Sequence, residues 1–246
     1  MIKGKTVTVV LPAYNASRTL RDTVKEIPRE LVDHIILSDD NSQDDTLKIA
    51  ADLPIDHILR HEENRGYGFN QKACYRKALE LGSDIIVMLH PDYQYTPALI
   101  PSMCYLIADQ VYPVVLASRI LGRGALKGGM PRYKYIANRI LTLIQNILMQ
   151  QKLSEYHTGY RAYARHVLES VDFMRNSNDF LFDNQILAQL LYQGCEVAEI
   201  TCPTHYFEEA SSINFPRSVT YGIGVILTSL HYRMAKWNIY KTRIFK

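Results

Sequence analysis

The sequence predicts an α/β protein built on a mostly parallel sheet. Three observations carry that prediction. Short apolar or β-branched runs recur at 6–11, 34–38, 55–59, 85–89 and 114–117. Stretches with apolar residues at helical spacing lie between them. The run Ile85 to Leu89 has no polar position, as a strand covered on both faces requires. Strand–helix alternation of this kind closes a parallel sheet through right-handed crossovers.

Each element has a local reason. Thr6 to Leu11 is a strand expected to stop at Pro12, followed by the loop Pro12-Ala13-Tyr14-Asn15. Ser17 is placed to cap a helix whose face is Leu20, Val24 and Ile27. His34 to Ser38 is a strand ending in Asp39-Asp40-Asn41-Ser42, after which Asp44 or Asp45 can cap a helix carrying Leu47 and Ile49. Ile55 to Leu59 is a third strand. Asn64-Arg65-Gly66-Tyr67-Gly68 turns into a helix from Phe69 to Leu81 that Gly82 closes. The buried strand Ile85 to Leu89 then ends abruptly in His90-Pro91-Asp92-Tyr93-Gln94.

Composition narrows the function classes. A chain of 246 residues is long enough for one large domain with a full core. A net charge of +3, with no basic tract interleaved with aromatics before about residue 215, argues against a nucleic-acid partner. Cys74, Cys104, Cys195 and Cys202 form no CxxC pair, so neither a zinc site nor a disulfide framework is expected, and a reducing, cytoplasmic compartment is. No signal peptide and no membrane-spanning run is expected.

Tyr14, Asp39, Gly66 and Asp92 should all fall at one edge of the sheet, the carboxyl edge where open α/β sheets bind ligands. No GxGxxG and no GxxxxGK[ST] is present, which sets aside a dinucleotide fingerprint and a P-loop. His90, Asp92 and Gln94 alternate at the end of the buried strand. A carboxylate, an amide oxygen and an imidazole can hold Mg²⁺ or Mn²⁺ against a diphosphate. The plainer reading is a polar turn with Asp92 capping the next helix.

In order and spacing, Val9-Val10-Leu11-Pro12-Ala13-Tyr14-Asn15, Ser38-Asp39-Asp40-Asn41-Ser42, Asn64-Arg65-Gly66-Tyr67-Gly68 and His90-Pro91-Asp92-Tyr93-Gln94 resemble the signature of family 2 glycosyltransferases. The nearest branch is that of dolichol-phosphate mannosyltransferase and the polyprenyl-phosphate glycosyltransferases. The resemblance implies a GT-A, Rossmann-like three-layer sandwich with a mostly parallel mixed sheet. It also implies a nucleotide-sugar site at Pro12, Tyr14, Asn15, Asp39, Asn64, Gly66 and Asp92, with Asp39 accepting from the base. Asp92 and Gln94 would ligate the metal. His90 stands where the family usually has an acid, and either binds the metal or orients a water or phosphate.

The second half continues the pattern. Val114 to Ala117 is a buried strand ending at Ser118-Arg119, where a cation would meet a phosphate. Gly122 to Met130, with four glycines, reads as a mobile loop and a candidate lid. Pro131 opens a long helix with Ile136, Ile140, Leu143, Ile144, Ile147 and Leu148 on one face. The resemblance places Arg119 and Arg132 against the acceptor phosphate. It also puts Thr158 and Gly159, in His157-Thr158-Gly159-Tyr160-Arg161, close to the acceptor, with His157 again in place of an acid. Arg161 reads as a structural tie between strands. Asp183 matches the family's general base, or else caps the helix that runs to about Gln193. Val197 to Cys202 is the last strand, and 208–215 is a polar loop that helps close the acceptor side in the family.

Two segments are expected: a glycosyltransferase domain over 1–215 and a basic amphipathic helical extension over 216–246. The extension has no acidic residue, and its cations interleave with Tyr232, Trp237, Tyr240 and Phe245. It suits an anionic membrane surface, or packing on the domain or on a second copy of the chain in a homo-oligomer. The expected activity is inverting, metal-assisted transfer of a sugar from a UDP-, GDP- or dTDP-sugar to a polyprenyl phosphate or a cell-envelope glycan, at the inner face of the membrane. With histidines at His90 and His157, the alternative is a nucleotide-sugar-binding protein or non-catalytic subunit with a degenerate metal site.

Overall fold

The computed structural model describes residues 1–122, 124–204 and 215–245, with the Phe215 side chain outside that set. Its strands are β1 Val7–Ala13, β2 His34–Asp39, β3 His57–Arg60, β4 Ile85–Met88, β5 Val114–Ser118, β6 Arg161–Ala164 and β7 Val197–Thr201. They form one seven-stranded sheet in the order β3-β2-β1-β4-β6-β5-β7. β6 runs antiparallel to its neighbours β4 and β5, and every other pairing is parallel. The expected mostly parallel, mixed GT-A sheet is therefore observed. Every residue of β1, β4, β5 and β6 is buried, so helices cover both faces of these strands.

The helices are α1 Leu20–Lys25, α2 Thr46–Ala51, α3 Tyr67–Glu80, α4 Ile100–Ala108, α5 Gly124–Lys127, α6 Arg132–Met149, α7 Arg165–Glu169, α8 Leu181–Tyr192 and α9 Phe215–Lys236. α3 packs on β1 and β2, α4 on β4, β5 and β6, and α9 lies along α6 and α8. After α9 the chain folds back, and Phe245 is buried against the Tyr192 and Tyr232 rings.

The structure corrects several local expectations. β1 does not stop at Pro12 but carries it in register opposite Ser38. Pairing with β4 ends at Val10, whose carbonyl accepts from the Leu89 N–H, so the missing N–H of Pro12 falls beyond the end of β4 and disrupts no ladder. Ser17 does not cap α1; its N–H is taken by Asp44, and Thr19 holds the N-cap position without a side-chain cap. Asp44, not Asp45, accepts from the first N–H of α2, that of Thr46. Within 122–130 the structure has the short helix α5 in place of a continuous loop. The polar loop expected over 208–215 lies outside the described residues, apart from the Phe215 backbone that opens α9. The apolar face of α6 also points outward, a reversal taken up below.

Candidate active site

The carboxyl ends of β2, β1 and β4 are adjacent, and the loops that follow them build one end of the site. Asp39, the last residue of β2, is fully buried. Its Oδ2 accepts from the Ser42 N–H at 3.0 Å, whereas Oδ1 has no hydrogen-bond partner among the described residues. A buried carboxylate oxygen without a donor is costly, so this atom suits a ligand N–H. Tyr14 stands half exposed beside it in sequence register, after β1. Asn15, at φ 52°, works between loops: its N–H goes to Ser42 Oγ and its Oδ1 accepts from the Gln43 N–H. Asp40 accepts from the N–H groups of Arg65 and Gly66, both at 2.9 Å, and so pins the Asn64-Arg65-Gly66 turn. Gly66 has φ 98°, and a Cβ there would sit 2.6 Å from the Asn178 carbonyl oxygen, so the glycine is a steric requirement. Asn64 is exposed.

The turn after β4 is held from below. The Pro91 carbonyl accepts from Thr19 Oγ1 at 2.6 Å and Thr23 Oγ1 at 3.3 Å, both on or beside α1. Tyr93 adopts φ 55° and its hydroxyl is anchored to Glu26. The Gln94 N–H donates to Asp92 Oδ1. Asp92 does not cap the next helical turn, since Thr96 does.

Asp92 and Gln94 open into a cleft of about 360 Å³. One side of the cleft is an aromatic ladder. Phe180 stacks on Tyr67 with ring centroids 4.9 Å apart, Tyr67 on His90 at 5.4 Å, and His90 on Tyr95 at 6.0 Å. Tyr67 donates to Asp183 Oδ2 at 2.7 Å, and Gln71 Nε2 donates to Asp183 Oδ1 at 3.1 Å. Burial, and then the Asp183 charge, raise the Tyr67 hydroxyl well above its usual range, so it keeps its proton. His90 Nε2 lies 3.0 Å from the same hydroxyl. With the tyrosine proton directed at Asp183, Nε2 supplies the proton of this second bond. Asp183 is thus a hydrogen-bond anchor within α8 and not its cap, which falls at Phe180.

The opposite wall is cationic. Arg119 is paired with the fully buried Glu155 through Nε and through its backbone N–H, and its guanidinium also donates to the His157 carbonyl at 3.0 Å. Burial alone would raise the Glu155 carboxyl, but Arg119 and its hydrogen bonds hold it below the usual range. Lys134 joins Arg119 in the cleft; burial, and then the Arg119 charge, draw its ammonium down. His157 donates or accepts at Nδ1 with Tyr221 of α9 at 2.7 Å, while Nε2 is buried without a partner among the described residues. Burial first, against the pull of Glu155, pushes this imidazole down to about 4.

The expected site residues thus divide. His90, Asp92, Gln94, Arg119, Gly159 and Asp183 share the cleft. Thr158 does not: it is fully buried and its hydroxyl donates to the Ala117 carbonyl. Gly159 makes room for His90, because a Cβ there would lie 2.2 Å from Nε2. Arg132 is exposed on the first turn of α6, outside the cleft lining, where Lys134 stands instead. Arg161 is a buried tie, but not between strands: it donates to the carbonyls of Thr158 and Tyr156 in the segment before β6 and of Asp183 in α8. Glu155, Lys134, Tyr67 and Asn70 were not anticipated. Asn70 donates to the carbonyls of Ala13 and Ser38 and so locks the ends of β1 and β2 together. Glu155 had a signal, being the single acid between Asp109 and Glu169.

Residues 8–172 match the family model of Glycosyl transferase family 2. The chain belongs to this glycosyltransferase family. The dolichyl-phosphate N-acetylglucosaminyltransferase of Methanococcus voltae, which uses UDP-N-acetylglucosamine by its name, is 26% identical over 220 residues, covering 83% of this chain and 87% of that protein. The undecaprenyl-phosphate 4-deoxy-4-formamido-L-arabinose transferase of Yersinia pestis is 27% identical over 185 residues, 72% of this chain, which spans only 54% of that longer protein. Among solved structures, glucosyl-3-phosphoglycerate synthase from Mycobacterium tuberculosis in complex with UDP superposes with TM-score 0.72 at 20% identity, over 94% of this chain and 80% of that one. The same synthase has been crystallised with Mn²⁺, UDP and phosphoglyceric acid, and that chain superposes with TM-score 0.70 at 20% identity. At this identity the likeness is one of fold.

Among the described residues no three His, Cys, Asp or Glu side chains converge as a metal cluster. Asp92 and Gln94 line the cleft and offer hard oxygen donors, which fit Mg²⁺ or Mn²⁺ only with further oxygens from a ligand.

Proposed function

We propose that the chain transfers a sugar from a nucleotide diphosphate-sugar to a polyprenyl phosphate. The observation that carries this reading is the two-sided character of the cleft. Arg119, anchored by Glu155, and Lys134 stand together in the lining of the cleft, a cationic wall that can receive a phosphate. Met130, Ala137, Leu141 and Val219 line the same cleft with apolar surface. An anionic head on an apolar tail meets both demands, and the names of the Methanococcus and Yersinia relatives point to the same acceptor class.

In this reading the nucleotide lies over the ends of β1 and β2, with Asp39 Oδ1 accepting from the base and Tyr14 against its face. Asp92 and Gln94 hold Mg²⁺ or Mn²⁺, which would neutralise charge on the diphosphate. A phosphate oxygen of the acceptor attacks the anomeric carbon, the bond to the diphosphate oxygen breaks, and the configuration inverts. A phosphate acceptor arrives ionised and requires no general base. Asp183 then acts by fixing Tyr67 and His90, and Arg119 by meeting the acceptor phosphate.

The test is a transfer assay with UDP-, GDP- and dTDP-sugars, polyprenyl phosphate, and Mn²⁺, Mg²⁺ or chelator, reading lipid-linked sugar by mass. One donor should give product, with loss in Asp92→Ala and Asp39→Ala. Metal-dependent nucleotide binding with no product across the panel would replace this reading with that of a binding protein.

A further inference from the structure

Helix α6 is amphipathic in the reverse of the usual sense. Its protein-facing side is largely polar: Asn138, Thr142 and Gln145 are buried there, with Met149 at its end, and Asn138 donates to Glu155. Its outer side is apolar: Ile136, Ile140, Leu143 and Ile147 are 57%, 54%, 60% and 64% exposed. Helices that face water carry the opposite pattern. α9 also turns an apolar stripe outward, exposing Val219, Ile223, Leu227 and Leu230, while its inner face is mixed, with Val225, Thr228, Ser229, Tyr232 and Ala235 buried.

The two stripes belong to one surface. α6 and α9 run in the same direction side by side: Gly222 faces Leu141, and further along Arg233 donates to the Ile147 carbonyl. At ~100° of rotation per residue, both exposed stripes fall on the same side of the pair. Tyr133 and Val219 are exposed and also line the cleft, so the apolar surface runs into its mouth. The two helices themselves carry charge of a single sign. Residues 110–154 and 215–246, which include both helices, hold no Asp or Glu. Exposed Arg132 and Arg139 lie along α6, exposed Lys241 follows α9, and Trp237 and Tyr240 are exposed past the end of α9.

We propose that the α6–α9 face is a bilayer-seating surface, with the isoleucine and leucine stripes at the acyl boundary and the cations among anionic headgroups. Among the described residues no helix is long and apolar enough to cross a membrane, so this face would lie in the interface plane. An occupant that is another protein would not by itself call for cations without a single acid over both helices, whereas an anionic leaflet does. The geometry also gives the face a purpose within the proposed transfer: a lipid acceptor reaches the cleft along α6 and α9 without its tail entering water.

The test is flotation of the whole protein with vesicles of phosphatidylcholine alone or with phosphatidylglycerol, with no donor and no acceptor lipid present. The protein should float with the anionic vesicles and less with the neutral ones. The fourfold variant Ile140→Asn/Leu143→Asn/Ile223→Asn/Leu227→Asn changes only exposed positions and should partition at least ~10-fold more weakly. Its melting temperature and its transfer to a short, water-soluble prenyl phosphate should be kept. Arg132→Gln/Arg139→Gln should lose the preference for anionic vesicles. Absence of flotation in the wild type, or flotation unchanged in the fourfold variant, overturns the proposal. So does a dimer in sedimentation velocity that these substitutions break while no vesicle binding is seen. Because vesicle binding is read without turnover, its outcome is separate from that of the transferase assay.

Discussion

The Tyr67 hydroxyl donates to Asp183 across 2.7 Å and lies 3.0 Å from His90 Nε2, so one phenol joins the turn after β4 to the first turn of α8. Removing that hydroxyl in Tyr67→Phe leaves Asp183 Oδ2 short of a donor and His90 short of an acceptor. The expected cost is about 1–3 kcal/mol of stability, read from denaturant melts. In long-range ¹H–¹⁵N spectra the wild-type His90 should be the Nε2–H tautomer and the variant should lose that preference. An Nδ1–H tautomer in the wild type would overturn the proton order assigned here.

Asp183 offers a sharper test of the acceptor. Both of its carboxylate oxygens already accept hydrogen bonds, from Tyr67 and Gln71. If the acceptor is a phosphate, Asp183→Asn should lower kcat by less than ~10-fold, since general-base catalysis worth ~10²–10⁴ is not being lost. A fall of the larger size, with an acidic limb removed from the pH–rate profile, would point instead to a hydroxyl acceptor.

His90 exists in its present place because residue 159 has no side chain. A Cβ at Gly159 would lie 2.2 Å from Nε2 and 2.7 Å from Cδ2, too close for the ring to remain. Gly159→Ala should therefore push His90 off the stack between Tyr67 and Tyr95 and cost about 1–3 kcal/mol from overpacking. Transfer should fall while nucleotide affinity, which the proposed function assigns to Asp39 at the other end, changes little. Transfer rates and nucleotide titrations on the same sample check both halves.

Much of this fold was legible because its signals are local. A run such as Ile85 to Leu89 can only be a covered strand, and the polar residues that end it mark the ligand edge. His90 and Asp92, which line the cleft, and Asp39 at the end of β2 were placed at that edge in this way. β6 was missed because Arg161-Ala162-Tyr163-Ala164 has no strand-like pattern by itself; its order comes from lying between β4 and β5. Arg132 was favoured over Lys134 because sequence does not say which side of a helix faces a cleft. The stripe at Ile136, Ile140, Leu143 and Ile147 was read correctly as a face. That it turns outward follows from the buried Asn138, Thr142 and Gln145, which only tertiary contacts reveal.

Arg119 and Glu155 form an ion pair with 12% and 0% of their side chains exposed. Glu155→Gln keeps the shape but leaves the guanidinium with a neutral partner in a mostly dry site. Breaking such a pair from one side costs about 3–5 kcal/mol, so the melting temperature should drop steeply. Arg119→Lys keeps the charge but not the forked geometry, and should retain more stability than activity. Equal losses in both measures would mean that Arg119 serves the fold alone.

His157 makes stability depend on pH in a window of its own. Burial pushes its imidazole from 6.5 down to about 4, against the opposing pull of Glu155. Between those values the unfolded chain binds a proton that the folded chain does not, so stability rises with pH across the window and is lost as pH falls from 6.5 toward 4. The full loss is about 3 kcal/mol. Glu155 is also held below its ordinary value, so it too takes stability away on acidification, but only below the usual carboxylate range near 4.5. Of the two groups, the limb between pH 6.5 and 5 therefore belongs to His157. His157→Asn retains a hydrogen-bonding group for Tyr221 and cannot titrate. Melts at half-unit pH steps should show the wild type weakening over that limb and the variant staying flat. A wild-type profile that is level from pH 6.5 to 5 would mean that His157 takes up its proton without penalty, and would remove the buried, neutral imidazole from the wall of the cleft.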